Sequence, residues 1–281
     1  MLFRSCAAHE PLLTGSWQLL RTLPAWEGNR THEEFVAARP HRSRRTTQNL
    51  LASHVAAGRL LRLRRGLYAT VPRGVDPQRA PVDPYLVASK LTADAVVAYH
   101  AALQFHGKAY SIWRRYHYLT RARARPFSFR EAAFVPVQAP LSLRAHASLG
   151  GGVAEVRHGG GLVRVTTLER SLVDVLHAPE TAGGWEEIWR SLELVEFFDL
   201  DAVIEYALAL GSALTVGRVG FFLEQHREEL MVEDHHLERL RAGAPSQPRY
   251  LDARREPGRM VSRWNLVVPR RVLDRSWQEV T

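Results

Sequence analysis

The residues with the clearest chemistry form one short run near the start of a predicted helix. In the major groove of DNA, arginine pairs with guanine, asparagine and glutamine pair with adenine, and threonine contacts the thymine methyl group. Residues 44–49 read RRTTQN and carry all of these groups within two helical turns. Arg42 lies just before this run, and Ser53 lies about one turn after it. The predicted DNA-contacting set is Arg42, Arg44, Arg45, Thr46, Gln48, Asn49 and Ser53. The alternative is an ordinary solvated, charged helix surface.

The helix that must position these side chains has a buried face and two marked ends. The inward positions share one face of a 3.6-residue period and are Thr47, Leu50, Leu51 and Val55. Ser43 suits the N-cap, because its hydroxyl can accept from a first-turn N–H. Gly58 suits the C-terminal stop, which needs a positive φ. By its angular position, Thr47 is expected in the core and not at the DNA.

A basic hairpin is predicted directly after this helix. Leu61 and Leu63 alternate with arginines, Arg65-Gly66 supplies a turn, and residues 67–71 supply a return strand. The arginines of this predicted wing are Arg62, Arg64 and Arg65. They can bind phosphates or enter the minor groove, and phosphate contact is the favoured role.

The upstream segments complete a predicted winged helix-turn-helix. Residues 14–24 form a short amphipathic helix that ends at Pro24, and Thr31 to Glu34 has the spacing of a capping box that opens a second helix. Three helices and a hairpin in this order assign residues 1–73 to the DNA-binding domain. Residues 74–84 are proline-rich and predict an extended linker.

Residues 85–281 predict a larger mixed α/β domain with a small sheet and a helical C-terminal part, so the fold class of the whole chain is α+β. Helices are expected at 84–90 and 93–106, and strands at 109–120, 132–138 and 162–166. A helix at 168–177 and four more at about 184–196, 199–210, 214–227 and 231–241 follow. One closing strand is predicted over 260–268.

A second basic cluster lies in the predicted strand at 109–120 and just after it. It consists of Arg114, Arg115, Arg121, Arg123 and Arg125, interleaved with Trp113, Tyr116 and Tyr118. Such a cluster can extend a DNA footprint or hold single-stranded nucleic acid by stacking. An edge strand with half-buried aromatic residues explains the same pattern equally well.

The charge distribution supports a nucleic-acid partner for the first half of the chain. Residues 1–130 hold 21 Arg or Lys against 7 Asp or Glu, whereas residues 131–281 hold 17 against 22. Arginine makes up 36 of the 38 basic residues, which a high-G+C genome explains, but that bias does not explain the asymmetry. Only the first half is therefore expected to meet phosphates.

Several classes of function lack their signatures. Cys6 is the only cysteine, which excludes an internal disulfide and a multi-cysteine zinc site, and no histidine pair has ligand spacing near a carboxylate. A restriction-type nuclease needs a Glu-x-Lys element, but Lys90 and Lys108 are the only lysines and neither follows a Glu by two residues. The glycine-rich turns also lack the Gly-Lys-Ser/Thr of a phosphate loop. We expect no metal, no cofactor and no enzymatic activity.

No apolar stretch has the length of a signal peptide or of a membrane span. The expected location is the cytoplasm, without a membrane partner.

Four segments in this order resemble the AbiEi family of antitoxins, from type IV toxin–antitoxin (abortive infection) systems. They are GRLLRLRRGLYATV, VVAYHAALQFHGKAY, RVTTLERSLVDVLHAPETAGGWEEIWRSLE and VSRWNLVVP. The resemblance implies that the N-terminal domain represses its own operon by binding inverted repeats in the promoter. It also implies an antitoxin role for the C-terminal domain, which antagonises a nucleotidyltransferase-like toxin without a stable complex. By position, Arg42, Arg44, Arg45, Gln48, Asn49 and the wing arginines take the DNA role, and no antitoxin residue is assigned.

Two other functions remain open at this point. One is a stand-alone winged-helix regulator whose C-terminal domain senses a small ligand, and the other is a DNA-acting enzyme. The site assignment itself predicts that Arg45→Ala weakens operator binding and relaxes specificity, whereas Arg64→Ala weakens all sequences about equally.

Overall fold

The structure is a computed structural model that describes residues 29–37, 43–144 and 151–278. The predicted helix at 14–24 and the predicted contact residue Arg42 lie outside the described residues. Within them the fold is α+β, as the sequence predicted.

The N-terminal unit has the element order of a winged helix-turn-helix. A short strand precedes two helices, and a hairpin follows them: β1 (Asn29–Thr31), α1 (His32–Ala37), α2 (Arg44–Ala56), β2 (Leu60–Arg64) and β3 (Leu67–Thr70). The strands form one antiparallel sheet in the order β1-β3-β2. The sequence did not predict β1, because its three residues, Asn-Arg-Thr, show no alternation of apolar and polar side chains.

Local hydrogen bonds confirm the predicted helix boundaries in this unit. Glu34 N–H donates to Thr31 Oγ1 at 3.2 Å and Thr31 N–H donates to Glu34 Oε2 at 2.8 Å, which is a complete capping box. Ser43 caps α2 by accepting from the N–H of Thr46 at 3.1 Å. Gly58, with φ of 66°, follows the last turn of α2.

The second part of the chain is built on a six-stranded mixed sheet in the order β6-β7-β5-β4-β9-β8. Its strands are β4 (Val96–Val97), β5 (Arg115–Thr120), β6 (Phe127–Phe129), β7 (Ala132–Gln138), β8 (Val153–His158) and β9 (Gly161–Thr166). The pairs β5/β7 and β4/β9 are parallel and the other pairs are antiparallel. Three short helices accompany the sheet: α3 (Pro84–Ala88), α4 (His100–Phe105) and α5 (Leu141–Arg144).

Two sequence predictions in this region are wrong. The predicted helix at 93–106 is interrupted, because Val96 and Val97 pair with strands on both sides at the centre of the sheet, and only His100–Phe105 is helical. The predicted strand at 109–120 covers only Arg115–Thr120. This strand lies inside the sheet between β7 and β4, so the interpretation as an edge strand is also wrong.

A helical layer follows the sheet, as predicted. Its helices are α6 (Leu168–His177), α7 (Trp185–Leu192), α8 (Leu200–Ala209), α9 (Ala213–Gln225) and α10 (Asp234–Gly243). Thr167 caps α6, with its side chain accepting from the N–H of Arg170. Buried residues of these helices form the largest core of the described chain, around Trp189, Phe222 and Ile204.

The C-terminal part forms a small three-stranded sheet instead of the single closing strand predicted for 260–268. Its strands are β10 (Arg249–Tyr250), β11 (Gly258–Val261) and β12 (Leu266–Pro269), in the order β10-β12-β11. A 3-10 turn at Ser262–Trp264 and a left-handed Asn265 (φ 49°) reverse the chain between β11 and β12. The helix α11 (Arg270–Leu273) follows. The apolar pattern of 260–268 does not reveal this reversal, because the reversing residues include the buried Trp264.

The wing is shared between the two predicted domains. Leu60 packs with Phe35 and Leu51 in the small core under the helices of the N-terminal unit. Leu63, Leu67 and Ala69 pack instead into a core that includes residues of α3, β4, β5 and β9. The hairpin is therefore covered on one side by its own helices and on the other by the second part of the chain.

The segment predicted as a linker, 74–84, has neither helix nor strand before Pro84 opens α3. The guanidinium of Arg130 holds it against the second part by donating to the carbonyls of Ala80 at 2.7 Å and Gln78 at 2.8 Å. Among the described residues, no helix combines the length and apolarity needed to span a bilayer.

Candidate nucleic-acid interface

The outer face of α2 presents most of the predicted base-reading side chains. Arg45, Thr46, Gln48, Asn49 and Ser53 are exposed, and Thr47 is fully buried and donates its hydroxyl to the carbonyl of Ser43 at 3.1 Å. Arg44 lies in the first turn, and its side chain is not described. The helix thus divides as the sequence predicted, with the polar strip outside and Thr47 in the core.

Two of the three wing arginines are directed to solvent. Arg62 and Arg65 are exposed and form no ion pair or hydrogen bond among the described residues. Arg62 lies on β2 opposite Tyr68, and Arg65 precedes Gly66 at the turn, where φ is 83°. Both cations are available for an anionic partner such as a DNA phosphate.

Arg64 has a different position from its neighbours. One of its amino groups donates a short hydrogen bond to the carbonyl of Leu91, and its guanidinium lies 5.9 Å from the centre of the Phe127 ring. A bulge in β2 between Arg62 and Arg64 changes the register of the strand at this point. The side chain therefore joins the wing to the second part of the chain, and the phosphate role predicted for Arg64 does not fit this geometry.

A second polar contact joins the same two parts. The ammonium group of Lys90 forms a short ion pair with Glu34, on α1. Both side chains are about three-quarters buried, with 23% and 31% of their surface exposed. The sequence does not predict this contact, because Lys90 and Glu34 are 56 positions apart in the chain.

An open cleft is lined by residues of α2, of the wing and of the second part. Its volume is about 1200 Å³. Its polar lining includes Gln48, Arg62, Arg65, Lys90, Glu155 and Arg164. Arg164 and Glu155 face each other across the β8/β9 pair, with 4.0 Å between Nε and Oε1. The cleft therefore combines side chains of α2 and the wing with polar groups of the second part.

The second basic cluster is divided by the structure. Arg114 and Arg115 lie at the start of β5, and Arg121, Arg123 and Arg125 follow its end. At about 3.3 Å per residue, the six steps from Arg115 to Arg121 separate the two groups by about 20 Å. Arg114 also forms an ion pair with Glu131.

The aromatic residues of this cluster are not available for base stacking. Tyr116 and Tyr118 are 8% and 0% exposed, and Trp113 stacks on the buried His100 with 3.9 Å between ring centres. The stacking role considered for Tyr116 and Tyr118 is therefore wrong, because both side chains are buried on the interior strand β5. Trp113 precedes β5 and has one ring face covered by His100.

Asp94 holds the start of the arginine-rich segment that follows β5. Its carboxylate accepts from Thr120 Oγ1 at 2.6 Å and from the N–H of Arg121 at 2.7 Å. Burial acts to raise the pKa of Asp94, but these hydrogen bonds outweigh it and lower the pKa below its ordinary value. The carboxylate is therefore charged at neutral pH.

The acidic and histidine side chains of the described residues do not form a metal-binding cluster. No group of three or more His, Cys, Asp or Glu side chains suited to a metal occurs among the residues that the structure describes. Buried pairs such as Arg170–Asp174, with Nε and Oδ2 3.2 Å apart, lie in the helical layer.

Comparisons with known proteins reveal a similar fold but do not indicate an activity. No family model matches the chain, and no curated protein matches it. The crystal structure of the RV2827C protein from Mycobacterium tuberculosis is similar, with a TM-score of 0.59 over 94% of this chain and 93% of that chain. The two chains share a fold. Their sequence identity is 16%, so the likeness carries no statement about function.

Proposed function

We propose that this protein is a DNA-binding transcriptional repressor that also acts as the antitoxin of a type IV toxin–antitoxin system. It represses its own operon by binding inverted repeats in the promoter, and it antagonises a nucleotidyltransferase-like toxin. The DNA-binding part of the proposal is supported by the side chains of α2 and the wing. The antitoxin part is supported by the resemblance of four sequence segments to the AbiEi family.

One observation carries the DNA-binding proposal. The residues that read base edges, Arg45, Gln48 and Asn49, are exposed on a helix whose opposite face is buried. Two unpaired wing arginines follow the same helix. Reading helices present side chains to the major groove in this way, and the adjacent wing contacts the backbone.

Binding to the DNA upstream of the gene tests this proposal. Fluorescence anisotropy with a labelled upstream duplex and a random duplex gives affinity and specificity at several salt concentrations. We expect Arg45→Ala to cost about 1–3 kcal/mol at the operator and to relax specificity. Arg62→Ala should weaken binding to both duplexes about equally and reduce the salt slope by about 1. If the two variants behave alike on both duplexes, the division between helix and wing is wrong.

The antitoxin part is tested by co-expression with the product of the neighbouring gene. Growth arrest by that product, relieved by this protein without a stable complex in pull-down, is the expected result. Because no antitoxin residue is assigned, Arg45→Ala serves as a separating variant. It should lose repression and keep the growth rescue.

A second candidate function is a stand-alone regulator with a ligand-sensing C-terminal domain. The cleft between α2, the wing and the second part favours it, because a ligand held there contacts both parts. A metabolic operon around the gene, and a small molecule that changes operator affinity, would support this candidate over the antitoxin.

We propose a binding function and not catalysis. Incubation of the pure protein and DNA with Mg²⁺ or Mn²⁺ tests this point. Reproducible cleavage that a single carboxylate substitution abolishes would overturn it.

A further inference from the structure

The segment between β5 and β6 carries three exposed arginines, Arg121, Arg123 and Arg125, and we call residues 121–126 the arginine loop. Asp94 partly neutralises Arg121, with Nε and Oδ2 3.4 Å apart. Arg123 and Arg125 form no ion pair or hydrogen bond with any residue that the structure describes. The arginine loop therefore presents at least two uncompensated positive charges.

Both ends of the arginine loop lie beside the wing. At the start of the loop, Thr120 accepts a hydrogen bond at 3.0 Å from Thr92, a residue that lines the cleft. At the end of the loop, the ring of Phe127 contacts the guanidinium of Arg64, which directly precedes the wing turn. The loop thus runs along the same side of the molecule as the wing turn.

The arginine loop and the wing are held in a fixed relation. The hydrogen bond from Arg64 to the Leu91 carbonyl joins the wing to the segment that precedes Asp94. Leu63 and Leu67 of the wing share a buried core with Tyr118 and Phe134 of the sheet that carries the loop. The arginine loop therefore follows directly from strands that are packed against the wing.

We propose that the arginine loop binds backbone phosphates of double-stranded DNA outside the base pairs read by α2, and so lengthens the footprint in a sequence-independent way. This inference rests on the proposed DNA-binding function. It assigns the contact to Arg123 and Arg125, with Arg121 held in place by Asp94. No phosphate contact is assigned to Arg114 and Arg115, which lie at the opposite end of β5.

The test uses the full-length protein and two duplexes from the upstream DNA. The first duplex contains only the inverted repeat, without flanking base pairs. The second carries about one further helical turn, roughly 10 base pairs, on each side. The test variant is Arg123→Gln with Arg125→Gln. The matched control is Arg114→Gln with Arg115→Gln, which removes the same number of positive charges at the opposite end of β5.

Wild type and the control should bind the longer duplex more tightly than the shorter one. The loop variant should lose that gain, on the order of 10-fold at 0.1 M salt, and its salt slope on the longer duplex should fall by about 2. On the short duplex all three proteins should bind equally. Circular dichroism and thermal melting confirm that the variants are folded.

Three outcomes overturn the inference. In the first, the loop variant gains from the longer duplex as much as wild type does. In the second, it loses affinity equally on both duplexes. In the third, the control variant loses the gain as well. Failure of wild type to bind either duplex would instead remove the proposed function itself, so the two failures are distinguishable.

Discussion

Arg62, Arg64 and Arg65 lie within four positions of one hairpin, but their surroundings differ. Arg62 and Arg65 have free guanidinium groups among the described residues, whereas Arg64 is engaged by the Leu91 carbonyl and the Phe127 ring. A hydrogen bond from a charged donor is stronger than a neutral one, and removing the donor leaves the carbonyl unsatisfied. The same residue type therefore has a structural role at one position and an open, partner-facing role at the others.

The Arg64→Ala variant should accordingly be less stable than wild type. We expect a loss of about 1–3 kcal/mol in the free energy of unfolding, because the Leu91 carbonyl loses its donor. Arg65→Ala, at the exposed turn, should stay within about 0.5 kcal/mol of wild type. Urea denaturation at neutral pH measures both, and equal stability of the two variants would contradict the role assigned to Arg64.

His117 is a buried histidine on the interior strand β5. It is 5% exposed, and its Nδ1 has no hydrogen-bond partner. Burial, together with the smaller effects of the nearby Arg115 and His100, lowers its pKa from 6.5 to about 4. The imidazole is therefore neutral in the folded protein at pH 5, whereas in the unfolded chain it is mostly protonated.

This difference predicts that the protein loses stability as pH falls. Between about pH 6.5 and pH 4 the unfolded state binds more protons at this residue, so stability decreases with decreasing pH. At pH 5 the expected contribution of His117 is about 2 kcal/mol relative to pH 7. His117→Asn should reduce the difference between unfolding free energies at pH 7 and pH 5 by about that amount. His100, whose pKa burial also lowers, supplies part of the remaining difference. An unchanged pH dependence in the variant would contradict the prediction.

At the scale of elements, helix α9 approaches the C-terminal sheet through a glycine. A Cβ atom at Gly220 would lie 2.2 Å from the ring of Trp264, which is fully buried in the 3-10 turn before β12. The indole nitrogen of Trp264 is fixed by a 2.6 Å hydrogen bond to Glu224, one turn further along α9. The ring therefore cannot move away from a larger residue at position 220.

Gly220→Ala should destabilise the protein by about 1–3 kcal/mol, although alanine is the better helix former. Thermal unfolding followed by circular dichroism measures the effect. The double variant with Trp264→Leu should show a smaller penalty for alanine than the single variant, because the shorter side chain frees the space. A strictly additive double variant would show that the contact does not cause the loss.

At the scale of the whole molecule, the wing packs against both predicted domains. Leu67 is 1% exposed and lies in the core formed with α3 and the six-stranded sheet. Lys90 and Arg64 add polar contacts across the same boundary. Separate unfolding of the N-terminal unit would expose the apolar face of its own hairpin, which is unfavourable.

The described parts should therefore unfold in one transition. Leu67→Ala should lower stability by about 2–5 kcal/mol and shift this transition as a whole. Differential scanning calorimetry measures the effect, with Leu51→Ala in the small N-terminal core as the comparison. Two resolved peaks, of which Leu67→Ala moves only the first, would show that the domains unfold independently.

The local features of this protein could be predicted from its sequence. The cap at Ser43, the stop at Gly58, the inward Thr47 and the capping box at Thr31 and Glu34 depend on contacts within a few residues. The helices after residue 167 could be predicted for the same reason, since their apolar faces repeat with the helical period.

Only the tertiary structure decided which parts of the chain meet. Val96 and Val97 are strand residues because β5 and β9 lie on either side of them, and no local pattern contains that information. Likewise, Arg64 differs from Arg62 because Leu91, 27 positions away, supplies its acceptor. The sequence by itself determined helix α2, its outward side chains and the hairpin that follows it. Long-range packing decided that the wing is covered from both sides and that the arginine loop lies beside it, because such contacts join residues whose spacing in the chain carries no periodic signal.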